Sequence, residues 1–410
     1  MTRAARLNTD AMIHSPRIFD RQGALLASML VALACGSDKT VSPPVDSNEP
    51  ANLGVVAERY TAEVYVRGNY AYTTTWGFRA APGDAVKIWN VAGTKPLLVD
   101  SLIVSGATTL GDVQTSDDGQ LLIVATERLG GSIMIYSLAN PAKPQLITRY
   151  TTTLTDPGVH TAEVQRVNGE LYAFLCIDPI SDTPARLVIV DISNPAAPQQ
   201  VFTAPMGNPY VHDVFVRDGI LITALWNDGI KIWDIGGGNS GGSVANPVPL
   251  GSVVTQGGKA HNVWWFHNQA NGEKRFAFVG EEAPGSIGAS SFGDIHVVDV
   301  SNFAAPREVA FFHLDNAGTH NFSMDESRGI LYAAYYNGGV RVLNVSGDLS
   351  SCSAAEKSAD GRCDLGKMGR ELTFGPIDSA PVYIWGVQLL ADHVYASDML
   401  NGIWKLDALP

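Results

Sequence analysis

The chain has 410 residues, enough for one large domain or for two or three ordinary ones. Its 45% hydrophobic and 17% charged residues provide for a packed core and exclude a chain that is disordered throughout. The net charge of −13, without any cluster of Lys or Arg, excludes nucleic-acid binding, because phosphate contacts need basic patches.

Residues 1–35 are predicted to be an export signal. Arg17 and Arg21 precede the apolar run GALLASMLVALA, which is too short for a comfortable transmembrane helix. The end of this run, VALAC, resembles the lipobox of bacterial lipoproteins, in which Cys35 becomes the lipidated first residue. We therefore expect an exported protein, held by lipid to the bacterial outer membrane or cell surface. The alternative is a buried apolar helix with an ordinary Cys.

Residues 36–51 are predicted to be a flexible tether. The stretch SDKTVSPPVDSNEPAN is rich in Pro, Ser and Asp and has almost no apolar side chain to bury. The folded part of the chain is therefore expected to span residues 52–410.

Seven related segments recur along the folded part, roughly 40 to 60 residues apart. The segment LVIVDISNPAAPQQV begins at Leu187, and similar stretches are IHVVDVSNFAAPREV, IMIYSLANPAKPQLI and VKIWNVAGTKPLLV. Three shorter relatives are IKIWDIGGG, VRVLNVSGD and IWKLDAL. A period of this length indicates a propeller or a solenoid.

Each repeat is predicted to be a four-stranded antiparallel sheet. Two apolar alternations precede each copy, and Asp-Gly or Asn-Gly pairs fall between several of them, which is typical of hairpins. A Pro after the copy, as in PQQVFTAP and PREVAFFHL, starts an outer strand. We label the strands A (innermost) to D. Seven such sheets predict an all-β fold, a seven-bladed β-propeller. The last copy lacks a D strand, and ANLGVVAERY near the start is expected to supply it and close the ring.

The segment LVIVDISNPAAP and its copies resemble the LVIVD-repeat family, β-propeller proteins of bacteria and archaea that are often exported. The resemblance spans about residues 52–410 and implies the fold more strongly than an activity.

The start of strand A carries the main candidate site. The seven aligned segments read AEV, GDV, AEV, HDV, HNV, HNF and WGV, and their middle positions are Glu63, Asp112, Glu163, Asp213, Asn262, Asn321 and Gly386. Because strand A lines the central channel of a propeller, this column becomes a ring in space. The first position is His212, His261 and His320 in three consecutive blades, and His160 lies two residues before the column in the preceding blade. If this strand is regular, the side chain of His160 points to the same side of the strand as the first position of the column.

Strand B ends on the same face as strand A begins, so acids at the ends of B strands are expected around the histidines. These acids are Glu127, Asp178, Glu281, its neighbour Glu282, and Asp398. Imidazoles with carboxylates suit a transition metal such as Zn, Cu, Ni or Fe, whereas Ca would prefer the acids and leave the His unused.

Two interpretations of the column remain open. The side chains bind a ligand or metal, or they hydrogen-bond the backbone of the next blade and hold the ring together. Trp76, Trp385 and Tyr336 near the same face could stack on a flat ligand, but single aromatics more often pack in the core or rim. We expect a non-enzymatic module that binds a small molecule or a protein through its funnel. The alternative is a metal-binding protein or metal-dependent enzyme.

The chain has two cysteines placed to form a disulfide, one cysteine in an apolar strand, and no recognised catalytic motif. Cys352 and Cys363 bracket a polar loop and are expected to form a disulfide after export, whereas Cys176 lies in an apolar strand and is expected to be a small buried hydrophobe. The stretch GGGNSGG at residues 236–242 is interpreted as a flexible loop between strands C and D, so the chain has no GxSxG nucleophile elbow. It also has no HExxH and no phosphate-binding Gly loop, so no catalytic residue is assigned.

Overall fold

The computed structural model describes residues 59–77, 81–372 and 381–409. These residues form seven sheets and a single 3-10 turn, Ala354–Glu356, and the predicted seven-bladed β-propeller is confirmed. The predicted export signal with Cys35, the tether, and residues 51–58 of the predicted closing strand lie outside the described residues. Within the described ranges, no helix has the length and apolar character needed to cross a membrane.

The first four blades each contain four strands in the order A to D. Blade 1 consists of β1 (Tyr60–Arg67), β2 (Tyr70–Trp76), β3 (Ala85–Asn90) and β4 (Leu97–Ile103). Blade 2 consists of β5 (Thr109–Thr115), β6 (Leu121–Glu127), β7 (Ser132–Ser137) and β8 (Gln145–Tyr150). Blade 3 consists of β9 (Val159–Val167), β10 (Glu170–Ile177), β11 (Arg186–Asp191) and β12 (Gln199–Pro205). Blade 4 consists of β13 (Asp213–Arg217), β14 (Ile220–Ala224), β15 (Ile230–Asp234) and β16 (Val248–Val253).

The last three blades vary this plan. Blade 5 consists of β17 (Ala260–Trp265), β18 (Phe276–Glu281), β19 (Ile295–Asp299) and β20 (Arg307–Phe312), with β24 (Cys363–Asp364) added parallel to β20. Blade 6 consists of β21 (Phe322–Asp325), β22 (Ile330–Ala334), β23 (Val340–Asn344) and β25 (Glu371–Leu372). Blade 7 consists, among the described residues, of β26 (Ile384–Leu390), β27 (His393–Asp398) and β28 (Gly402–Asp407).

The hydrophobic core lies between neighbouring blades. Strands B and C are buried almost throughout, as in β11, whereas the outer β8 is largely exposed. This burial pattern explains the near-continuous apolar runs of the repeat, because a middle strand of a blade is covered on both faces. One such core joins blades 2 and 3, and its members include Ile123, Ile133, Val164, Leu171, Leu175 and Val188.

The Asp that ends each repeat is a turn residue. The carboxylate of Asp191 accepts a hydrogen bond from the N–H of Ser193 at 2.9 Å, and Asp299 and Asn344 accept the same bond from Ser301 and Ser346. A side chain that bonds the backbone two residues later fixes a tight turn between strands C and D. The residue lies on the face opposite the histidines.

Side chains of strand A hydrogen-bond the backbone of the next A strand. Asp112 accepts from the N–H of Ala162 at 3.0 Å, and the hydroxyl of Ser323 accepts from Leu389 at 2.9 Å. Gln388 of blade 7 both accepts from the N–H of Val66 and donates to its carbonyl. These cross-blade hydrogen bonds satisfy the inner edge of each blade, which no further strand covers.

The first and last described blades pack directly against each other. Val64, Val66 and Trp89 of blade 1 form one buried cluster with Tyr395 and Ile403 of blade 7. The ring is therefore closed at this junction by side-chain packing and by Gln388.

Replacing Gln388 by Ala is expected to weaken ring closure. The substitution leaves the N–H and C=O of Val66 without these partners, so the free energy of unfolding should fall by about 1–3 kcal/mol. Urea denaturation measures this change. Gln199→Ala, on the exposed start of β12, is the matched control and should leave stability within about 0.5 kcal/mol. Equal losses of unfolding free energy in the two variants would contradict the role of Gln388 in ring closure.

Candidate functional site

Strand A of all seven blades lines one central channel with a volume of about 400 Å³. The side chains of the aligned column that face it are Glu63, Asp112, Glu163, Asp213, Asn262 and Asn321. Gly386 completes the column without a side chain, since a Cβ there would lie 2.8 Å from a carboxylate oxygen of Glu63. The alignment of the repeats thus identified the lining of the channel.

Irregular pairing explains how neighbouring residues of one strand both face the channel. In a regular strand, successive side chains point to opposite faces. In β17 the register shifts between Ala260 and Asn262, so that His261 and Asn262 both line the channel. His160 occupies the corresponding irregularity of β9, between Val159 and Thr161, so its position does not follow from the regular alternation that we predicted.

Four histidines form a continuous arc at one end of the channel. The ring centroids of His160 and His212 lie 4.1 Å apart, those of His212 and His261 4.2 Å, and those of His261 and His320 4.0 Å. Trp385 extends this histidine arc at 4.3 Å from His320, and Trp76 lies 5.1 Å from Trp385. The predicted clustering of imidazoles from blades 3 to 6 is therefore present in the structure.

Three of the four histidines are neutral and have an unpaired nitrogen. The Nδ1 atoms of His212, His261 and His320 are buried without a hydrogen-bond partner among the described residues. Burial, and then the neighbouring imidazoles, lower the pKa of all three well below the usual His value. Asp112 makes the expected cross-blade hydrogen bond, but these histidine nitrogens do not, so the structural interpretation of the column accounts for Asp112 and not for the Nδ1 atoms of the three histidines.

His160 differs from the other histidines because it pairs with acids. Its Nδ1 contacts the carboxylate of Glu127 and lies 3.6 Å from that of Asp178. Burial alone would lower the pKa of His160, but Glu127 and then Asp178 outweigh it and raise the pKa to about 10. His160 is therefore an imidazolium held by two carboxylates.

Glu282 is the acid that faces the neutral histidines. Its Oε2 lies 3.4 Å from Nε2 of His212 and 4.0 Å from Nε2 of His261, and its Oε1 accepts a hydrogen bond from the hydroxyl of Tyr336. Of the two neighbouring acids of VGEE that were expected near the histidines, Glu281 and Glu282, only Glu282 lies beside them. Burial raises the pKa of the Glu282 carboxyl.

Two predicted acids do not face the arc. Glu281 ends β18 with its side chain turned to His296, 3.5 Å away. Asp398 uses its carboxylate within blade 7, where it accepts from the N–H of Tyr383 and from the indole of Trp404. Both side chains thus serve the packing of their own blades.

Two groups of side chains bring three ligand atoms within 4.8 Å of one another in the described part of the chain. They are His212 with His261 and Glu282, and Glu127 with His160 and Asp178. Ligand atoms around a tetrahedral zinc lie about 3.3–3.5 Å apart. The spacing at Glu282 is close to this value, whereas Glu127 directly contacts His160 and leaves no space for an ion. The first group therefore fits a transition metal better.

Four consecutive carboxyl groups, which we call the acid ring, form the next level of the channel. Their members are Glu63, Asp112, Glu163 and Asp213, from blades 1 to 4. Enclosure in the channel raises the pKa of all four carboxyl groups. For Asp213, burial and the nearby Asp112 raise the pKa to about 8.

Five exposed apolar side chains lie outside the residues that line the channel. They lie at the ends of D strands or in the B–C and D–A loops, all on the face of the histidine arc. They are Ile103, Leu129, Tyr210, Val254 and Phe292. We call them the apolar collar.

Comparison with known proteins supports the repeat and the fold. The LVIVD repeat model matches residues 58–77 and 179–204, which confirms the resemblance of the repeats. The crystal structure of Saccharomyces cerevisiae Sqt1 is similar, with a TM-score of 0.53 and 10% identity, over 86% of this chain and 83% of that chain. This likeness shows the fold alone. No curated protein sequence matches the chain significantly.

Cys352 and Cys363 are joined by a disulfide with a Cα–Cα distance of 5.9 Å, and Cys176 is buried as a free thiol. The disulfide closes the loop that delivers β24 to the outer edge of blade 5.

The acid ring predicts that stability falls as pH rises. The pKa of Glu163 in the folded chain is raised above 4.5, by burial and then by Asp213, so folding retains a proton that the unfolded chain releases. The stabilisation is complete below the unfolded pKa and is lost as pH rises towards the folded one. Thermal midpoints measured from about pH 5 to pH 9 should therefore decrease. Glu163→Gln should reduce this decrease, and Asp182→Asn, on an exposed turn, should leave it unchanged. A flat profile for the unsubstituted protein would contradict the prediction.

Proposed function

We propose that this LVIVD-repeat β-propeller is a binding module that takes a small molecule, or a protruding side chain of a partner protein, through the mouth of its central channel. The supporting observation is the channel itself, lined by all seven blades with the histidine arc at one end. Ligand sites are concave and combine apolar surface with a few convergent polar groups. Trp76, Trp385 and the histidine arc, which all line the channel, provide this combination.

The proposal includes surface attachment of the propeller. Its support is the VALAC segment at Cys35 and the Pro- and Ser-rich stretch that follows it. A tether of this composition would let the propeller reach partners near the membrane surface, with the lipid as its only membrane contact.

Removing the aromatic side chains at the channel mouth is expected to weaken binding. Trp76 and Trp385 lie 5.1 Å apart beside the histidine arc, and both line the channel. In a ligand-detected NMR screen of amines, carboxylates, sugars and short peptides, the double variant Trp76→Ala/Trp385→Ala should bind the hits about tenfold more weakly, since buried aromatics dominate binding energies.

The control for this screen is Trp233→Ala, which removes a half-buried Trp of β15 outside the channel lining. This variant should bind the hits of the screen with the same affinity as the unsubstituted protein. Binding that is lost equally in both variants, or that survives in both, would place the ligand outside the channel mouth.

A transition-metal site is the second candidate function. The observation that favours it is the group His212, His261 and Glu282, whose ligand atoms approach within 4.8 Å and whose histidines are neutral. Neutral imidazoles and a carboxylate suit Zn, Cu, Ni or Fe. The hydroxyl of Tyr336 would orient Glu282 from behind. A metal held this way with an open position could also activate water, which would make the protein a metal-dependent enzyme.

Elemental analysis of the purified protein tests the metal site. Near-stoichiometric transition metal should be present, and His212→Ala/His261→Ala should lose it while keeping the β-sheet circular dichroism spectrum. His393→Ala, on the outer part of blade 7, should retain the metal. Absence of metal, with a large loss of stability in the double variant, would instead mean that the histidines serve the packing of the ring.

A further inference from the structure

The channel combines several carboxyl groups with a single positive side chain, the imidazolium of His160, among the described lining residues. Besides the acid ring, Glu127 contributes a carboxyl group to the lining, and the described lining residues include no Lys or Arg. The imidazolium of His160 is already paired with Glu127 and Asp178. The carboxyl groups of the acid ring therefore outnumber the cationic side chains of the described lining.

The acid ring is too wide to chelate a single metal ion. The described groups that bring three ligand atoms within 4.8 Å include none of Glu63, Asp112, Glu163 or Asp213. Calcium requires six to eight oxygen atoms at about 2.3–2.6 Å. Carboxylates that are spread around a channel instead match a cation whose charge is distributed over several N–H donors.

Aromatic side chains flank the acid ring on both sides. Trp76 and Trp385 lie towards the mouth, and Tyr65, Phe215 and Trp264 each lie two residues further along strand A than a member of the column. The rings of Phe215 and Trp264 are 5.5 Å apart and both line the channel. Aromatic faces attract organic cations and cover their carbon atoms.

His320 adds an unpaired polar atom that faces the ring. Its side chain is 3% exposed, and its Nδ1 lies 3.8 Å from Oε1 of Glu63 without a hydrogen bond. Glu63 is already held by Asn321, whose amide donates to the same oxygen at 2.7 Å. An N–H donor placed beside Glu63 would satisfy both Glu63 and His320.

We propose that the ligand of the channel is an organic cation, a primary ammonium or a guanidinium on an apolar chain. Its charged group lies at the acid ring, and its chain lies against the aromatic side chains that flank the ring. This inference rests on the proposed function, since it names the chemical class that the binding module accepts.

A matched set of three probes tests the class of ligand. Hexylammonium, hexanol and hexanoate have the same chain and differ only in charge, and isothermal titration calorimetry measures their binding to the full chain. Hexylammonium should bind at least about tenfold more tightly than the other two. The guanidinium analogue, hexylguanidinium, should bind as well.

Isosteric variants locate the site of this binding. Glu163→Gln/Asp213→Asn removes two carboxyl groups that can ionise beside a bound cation, with almost no change in the shape of the channel, and it should weaken the binding of hexylammonium by about tenfold to hundredfold. Asp315→Asn, on an exposed loop outside the lining, should have no effect. Circular dichroism and the thermal midpoint show that the double variant is folded. Unchanged affinity in a folded double variant would overturn the acid ring as the site.

The remaining outcomes separate the class of ligand from the proposed function. If hexanol or hexanoate binds more tightly, and Trp76→Ala/Trp385→Ala abolishes that binding, the channel is a binding site but not for cations. Stoichiometric binding of calcium chloride that depends on Glu163 and Asp213 would replace the organic cation by an inorganic one. If none of the three probes binds at millimolar concentration and the broader screen has no channel-dependent hit, both proposals fail.

Discussion

The unpaired inner edge of each blade is the constraint on which the rest of the structure depends. Strand A has a partner on one side only, and its other edge faces the channel and the next blade. Polar side chains from the neighbouring A strand satisfy part of this edge, as Asp112, Ser323 and Gln388 do. Polar residues are therefore required at the centre of the propeller by the fold itself, before any ligand is considered.

This requirement separates structural from functional residues at the channel. Side chains that hydrogen-bond the backbone of the next blade have a structural role, because they hold neighbouring blades of the ring together. Asp112 belongs to this class. His212, His261 and His320 are more deeply buried than Asp112, and each leaves a nitrogen atom unpaired among the described residues, which costs stability. The proposed ligand would satisfy these atoms.

The sequence predicted the fold because the repeat combines three independent signals: apolar strands, Asp or Asn turns such as that at Asp191, and a fixed period. It also predicted the histidine arc, because a column of aligned repeats becomes a ring in a propeller. It did not predict that Glu282 rather than Glu281 faces the arc, since neighbouring residues at a strand end differ only in the direction of the side chain. The irregular pairing at His160 and His261 has no sequence signature, and neither do contacts between blades such as Gln388 with Val66.

The loop that carries β24 has a mechanical consequence for the channel. It leaves blade 6 after β23, lays β24 along the outer edge of blade 5, is closed by the disulfide between Cys352 and Cys363, and returns to blade 6 as β25. Its Cys363 and Leu365 share one apolar core with Phe278 of blade 5 and Leu343 of blade 6. Blades 5 and 6 are thus joined at their rims by a loop with a covalent cross-link, which restrains the displacement of one blade relative to the other. Since His261 and Glu282 belong to blade 5 and His320 precedes β21 of blade 6, the same restraint acts on their spacing at the channel.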